Sequence, residues 1–223
     1  HAHYNLGLAL RAAGKAESAA GVLARAAELA PDAVEPLQAL AHQLHSLGRY
    51  QQAARAYRKL VELRPDDPAA HTSLGTSLHM LGDLLSARDC YQRALELSPD
   101  YAQAHSNLGT VYQSLRDVEE ADACFRRALS VAPGHQDALA GLATNLDRRG
   151  SYAQGWALIE HGFDPARSGL ELVITGAQLQ RHLGNNLRAA EILQLALERQ
   201  DLNDASRQRL HFNLGHALNA ESR

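Results

Sequence analysis

Residues 102–135 read AQAHSNLGTVYQSLRDVEEADACFRRALSVAPGH, and the 34 residues before them, 68–101, read PAAHTSLGTSLHMLGDLLSARDCYQRALELSPDY. His, Leu-Gly, Ala, an aromatic, Ala and Pro fall at the same offsets in both, while most other letters differ. A fixed period with drifting letters marks a stack of similar units, each burying its apolar face on the next.

The period extends in both directions. Leu6-Gly7, Leu40-Ala41, Leu74-Gly75, Leu108-Gly109 and Leu142-Ala143 are in register, followed by Ala19, Ala53, Ala87, Ala121 and Gly155. Leu23, Tyr57, Tyr91, Phe125 and Ile159 come next, and Pro31, Pro65, Pro99 and Pro133 close four units. Gly14, Gly48, Gly82 and Gly150 fall mid-unit, with Arg116 in the fourth unit's place. Apolar steps of three and four on both sides of that glycine predict two helices per unit. The glycine ends the first helix in a left-handed turn, and the proline ends the second. Gly or Ala of the first helix is expected to face Ala of the second, with Leu and aromatic residues filling the space between units.

This pattern resembles the tetratricopeptide repeat, over five units from His1 to about residue 162. The resemblance implies an all-α, right-handed superhelical solenoid of helix-turn-helix units, a single array over 1–223. The repeats fall at about 1–33, 34–67, 68–101, 102–135, 136–168 and 169–206, with a half repeat at 207–223. HGFDPARSG, residues 161–169, predicts a short second helix in the fifth unit and an irregular junction to the sixth. The sixth is expected to carry about one extra residue in its turn. The last segment reads as a first helix without its partner. Leu210, Phe212, Leu214 and Leu218 lack the polar outer face of a capping helix, so the chain reads as a piece of a longer array. Open apolar helix faces at both ends predict end-to-end self-association, or a dimer through the Leu210–Leu218 helix.

Composition narrows the function classes. A net charge of −3 gives no electrostatic reason to expect nucleic acid or an anionic membrane as partner. No run of 18 apolar residues is present to insert in a bilayer. The chain opens on His1, not Met, without a charged-then-apolar leader, and reads as beginning inside a longer chain, with a removed targeting segment left open; the expected compartment is the cytoplasm. No phosphate loop, nucleophile elbow, His-Glu-x-x-His or paired Cys-x-x-Cys occurs, so no enzyme activity and no cofactor are expected. The doublets Glu119-Glu120, Arg126-Arg127 and Arg148-Arg149 read as solvated faces and intrahelical pairs.

His3, His71 and His105 share one position and read as rings wedged between helices. His42 and His45 lie three apart on one helix face, a metal-compatible spacing without an evident third ligand. Cys90 and Cys124 are 34 apart, so they should lie on neighbouring helices about 8–10 Å apart, beyond the roughly 7 Å limit of a disulfide, and remain free thiols. Trp156 reads as a plug for the irregular junction.

The expected function is a protein–protein interaction scaffold that binds an extended peptide segment of a partner in a concave groove. Carried over from the family, the groove positions are Asn5, His42, His45, Thr76, His79, Asn107, Thr110, Gln113, Thr144, Asp147 and Arg148. Thr76, Thr110 and Thr144 recur at one offset and are expected to form a ladder of hydroxyls suited to peptide backbone. Asn5, Asn107 and Asn213 sit where O-linked N-acetylglucosamine transferases carry an asparagine ladder, interrupted here by Ala39, Ser73 and Gly141. The alternative is the non-catalytic, substrate-recruiting arm of a larger enzyme. AHYNLG and AHSNLG resemble repeats that precede the catalytic region of those glycosyltransferases, and RQRLHFNLGHAL resembles the last repeats of bacterial proteins joined to a sulfotransferase domain.

Overall fold

The computed structural model describes residues 1–219 and is all-helical. The chain divides into two compact units, one ending at Leu115 and the other beginning at Arg116. The first holds α1 (Ala2–Ala12), α2 (Ala16–Leu29), α3 (Val34–Ser46), α4 (Tyr50–Leu63), α5 (Pro68–Met80), α6 (Leu84–Leu97) and α7 (Ala102–Ser114). The second holds α8 (Val118–Val131), α9 (Gln136–Arg148), α10 (Tyr152–Ile159), α11 (Leu170–His182), α12 (Asn186–Leu197) and α13 (Asp204–Asn219). Among the described residues there are thus 13 α-helices and no strand. Within each unit every helix packs on the next in sequence, and α5 also touches α7, α9 touches α11 and α11 touches α13.

One turn is repeated through the chain. Gly14, Gly48, Gly82, Gly150 and Gly184 have φ between 73° and 84°. The N–H after each glycine donates to the carbonyl five residues back, from Lys15 to Leu10, Arg49 to Leu44, Asp83 to Leu78, Ser151 to Leu146 and Asn185 to Gln180, at 2.9–3.0 Å. That bond belongs to the Schellman turn, which needs a left-handed residue after the helix. Arg116 takes the same conformation at φ 65°, at a steric cost that glycine avoids. The second helices end differently. Ala30, Arg64, Ser98 and Ala132 each precede a proline and swing to φ between −133° and −141°, because the proline ring excludes the helical conformation before it. His71 and His105 then donate from Nε2 to the carbonyls of Pro65 and Pro99, both at 2.8 Å. The shared histidine position therefore staples a first helix to the proline turn that precedes it.

The small residue of the first helix faces a different partner from the one expected. A Cβ on Gly7 would lie 2.6 Å from Leu23 Cδ2, and one on Gly75 would lie 2.8 Å from Tyr91 Cε1. The large residue of the second helix fills the notch, so the glycine opposes Leu or Tyr and not Ala. Ala19, Ala53, Ala87 and Ala121 are themselves fully buried. Leu23, Tyr91 and Phe125 are 0 % exposed.

The fifth second helix is short, as its sequence predicts. After eight residues α10 passes into a 3₁₀ turn, Glu160–Gly162, and Trp156 stacks edge-on against Phe163 at 5.6 Å. The sixth unit corrects the reading of its turn. Gly184, Ala189 and Leu193 lie 34 residues after Gly150, Gly155 and Ile159, and Ala189 and Leu193 are buried, so no residue is inserted. The last helix is corrected too. Leu210 is 0 % exposed and Leu214 is half-buried against the same core, leaving only Phe212 and Leu218 of the four facing outward. Arg149 is not merely solvated: Asp122, 4 % exposed, accepts from Asn145 Nδ2 at 2.7 Å and Arg149 Nη1 at 2.6 Å, pinning α9 to α8.

The notch gives a sign test within one helix pair. Gly7→Ala should destabilise by about 1–3 kcal/mol through overpacking against Leu23. Gly21→Ala, on α2 with nothing near its Cβ position, should stabilise by about 0.5–1 kcal/mol. Urea melts in which both changes shift stability the same way would show that the α1–α2 packing is misassigned.

Candidate functional site

The eleven predicted residues fall on the first helices of the pairs. Asn5 lies on α1, His42 and His45 on α3, Thr76 and His79 on α5, and Asn107, Thr110 and Gln113 on α7. Thr144, Asp147 and Arg148 lie on α9 of the second unit. Asn5, His42 and Arg148 are exposed; the others are half-buried. The chain brings three of them together: His42, His45 and Thr76, with Ser46, Tyr57 and Ser73, line a cleft of about 250 Å³ among α3, α4 and α5.

Within each unit hydrogen bonds tie neighbouring first helices. Asn107 Nδ2 donates to Thr76 Oγ1 at 3.4 Å, and its Oδ1 accepts from Gln103 at 2.8 Å. In the second unit Thr144 and Thr175 meet at 3.2 Å through their hydroxyls, and Asp147 meets His182 Nδ1 at 2.6 Å. Gln178 donates to Asn213 at 3.4 Å. The threonines are not an idle row of donors. Thr76 gives its proton to the Thr72 carbonyl at 2.9 Å and Thr110 to that of Ser106 at 3.2 Å. The Thr76 oxygen accepts from Asn107 and Tyr91, and the Thr110 oxygen is left to accept.

Tyr57 and Tyr91 belong to this site, although their positions read as core filler. Tyr91 donates to Thr76 Oγ1 at 3.2 Å, and Tyr57 bonds to Ser73. Burial pushes both phenols up to about 12, so they stay protonated. The signal in the sequence is Tyr at 57 and 91 where the other units have Leu, Phe or Ile.

Burial lowers the pKa of His42, His45 and His79 below 6.5; Arg11 adds to the effect at His42, and His42 at His45. His45 also stands edge-on to Tyr50 at 5.1 Å, and His42 lies 5.8 Å from the Tyr57 ring. Among the described residues no three His, Cys, Asp or Glu side chains are grouped to hold a metal ion. Cys90 and Cys124 are free, and burial first, then neighbouring carboxylates, pushes both thiols up to about 11. No described helix is long and apolar enough to cross a membrane.

Models of the tetratricopeptide repeat match residues 1–34, 39–102 and 102–135. The chain belongs to the tetratricopeptide repeat family. Its fold is shared with a tetratricopeptide repeat protein from Parabacteroides merdae at a TM-score of 0.81, with 19 % identity over 97 % of this chain and 83 % of that one. PilF from Pseudomonas aeruginosa follows at 0.68, with 21 % identity over 95 % and 96 %. YrrB, described as a tetratricopeptide repeat protein with an unusual peptide-binding site, aligns at 0.54, with 20 % identity over 88 % and 97 %. No curated protein sequence matches significantly.

The histidines set a pH dependence. Because their folded pKa values lie below the unfolded value, the unfolded chain binds more protons in that window, and stability falls as pH drops below about 6.5. Thermal melts between pH 7.5 and 5.5 should show this slope, reduced when His42, His45 and His79 are all replaced by Gln. An unchanged slope in the triple variant would assign it to other groups. The thiols give a second check: at pH 7.5 well under 1 % is thiolate, so both should alkylate far more slowly than a free cysteine of pKa about 8.5. Alkylation as fast as glutathione's would contradict their burial.

Proposed function

We propose that this chain is an interaction module that holds an extended segment of a partner protein along the exposed face of its first helices. The carrying observation is the convergence of His42, His45 and Thr76, separated by up to 34 residues, on one cleft beside a cross-linked row of short polar side chains. Ser46 and Thr110 commit their protons to helix carbonyls and present free lone pairs, which suit the N–H groups of an extended backbone, while the Thr76 oxygen is already filled by Tyr91 and Asn107. The peptide-binding site attributed to YrrB, a protein of the same fold, points the same way.

The test leaves the core untouched. Peptides selected from a random dodecapeptide library at pH 7.5 would be measured against the chain and against His42→Glu with Ser46→Glu, both exposed on α3. The double variant should lose at least about tenfold in affinity, near 1.4 kcal/mol. Surface changes of this kind shift stability by roughly 0.5 kcal/mol each, a few degrees at most in melting temperature. Undiminished affinity would put the binding surface elsewhere.

A further inference from the structure

The cleft among α3, α4 and α5 has a charge character that the rest of this face lacks. Two of the hydroxyls that line it give their protons to their own helix, Ser46 to the Gln43 carbonyl at 2.8 Å and Thr76 to that of Thr72 at 2.9 Å, and buried Ser77 behind them donates to the Ser73 carbonyl at 3.2 Å. Ser77 has one proton and spends it on Ser73, so His45 Nδ1–H is the donor in the 3.0 Å contact between them. That fixes the tautomer and leaves His45 Nε2 as the ring nitrogen able to take a proton. His42, exposed beside it, makes no hydrogen bond among the described residues.

The ionisable surroundings are one-sided. From α1 the charge acting on His42 is Arg11, which has no ion pair among the described residues. From α2 comes Glu17, held by Arg49 at 2.7 Å. Tyr50 and Tyr57 face the histidines from α4, and α5 contributes Ser73, Thr76 and Ser77. No carboxylate lines the cleft. Two imidazoles that accept protons, a permanently charged guanidinium nearby and no carboxylate in the lining make a receptor for an anion, with the Tyr57 ring as its apolar wall.

We propose that this cleft seats an acidic side chain of the bound segment, its carboxylate gripped by His42 and His45 with Arg11 as the neighbouring cation. The inference rests on the peptide-binding reading above and adds the chemistry of one anchor residue. Binding takes up protons, because the carboxylate favours imidazolium over imidazole. The depressed basicity of both rings in the free chain keeps the cleft uncharged at neutral pH, so capture strengthens on acidification.

The experiment pans a random dodecapeptide library against the chain at pH 7.5 and at 5.5. It then measures the best peptides and their Glu→Gln or Asp→Asn versions at both values. The account requires one Asp or Glu shared by the pH 5.5 binders, affinity at least fivefold higher at 5.5 than at 7.5, and loss of that gain in the amide versions. Exposed His42→Gln should remove most of the gain without unfolding the chain. Imidazole resonances of His42 and His45 should titrate at higher pH in the complex than in the free chain. Binders that lack an acidic residue, or whose amide versions bind as well, overturn the acidic anchor and leave the peptide-binding reading standing. Absence of any binder at either pH overturns both.

Discussion

In the first and third helix pairs the packing depends on one contact, a missing Cβ in the first helix opposed by a large side chain from the second. At Gly75 that side chain is Tyr91, whose ring occupies the space a methyl group would need. Interiors pack near crystal density, so a ring of this size is accommodated only where a notch is cut for it. The turn glycines and the prolines set where each helix stops. The notch sets how closely the helices of a pair approach, and with Ala87 and Ala94 fully buried beside Tyr91 it leaves that pair little freedom to slide.

The same contact reaches through to the candidate site. The Tyr91 ring passes over Gly75 and delivers its hydroxyl to Thr76, the next residue along α5, where Asn107 also arrives from α7. Tyr57 of α4 instead bonds to Ser73 on α5, the first helix of the next pair. Core residues of the second helices thus supply hydroxyls to a surface built by the first helices. These bonds order the polar row before any ligand arrives, which lowers the entropic cost of binding. The cleft beside them brings together two of the twelve histidines, the one unusual residue type in this composition.

Much of this was legible in the letters because packed positions constrain sequence and exposed ones do not. Leu-Gly, Ala, aromatic and Pro at 34-residue spacing located the helix pairs, and HGFDPARSG located the short α10. The sixth unit was misread because it lacks both the Leu-Gly pair and the closing proline, although Gly184, Ala189 and Leu193 keep the register. Groove positions could be placed by offset, but offset does not say where a hydroxyl proton goes. The commitment of the Thr76 and Thr110 protons to their own helix is a local backbone effect. Nor does spacing show that Asp122 is buried and held by Asn145 and Arg149, since each of the three reads alone as an ordinary surface residue. Leu210 was taken for an outer face because its partners, Val173 and Leu193 among them, come from helices whose packing the repeat letters did not specify.

The central claim is that Gly75 and Tyr91 form one unit, and a double-mutant cycle measures it directly. Chemical denaturation of Gly75→Ala, Tyr91→Leu and the double variant gives their coupling free energy. If the notch exists for the ring, alanine at 75 is costly beside Tyr91 and tolerated once the ring is cut back, with a coupling above about 1 kcal/mol. Effects that simply add, within about 0.5 kcal/mol, would contradict the account.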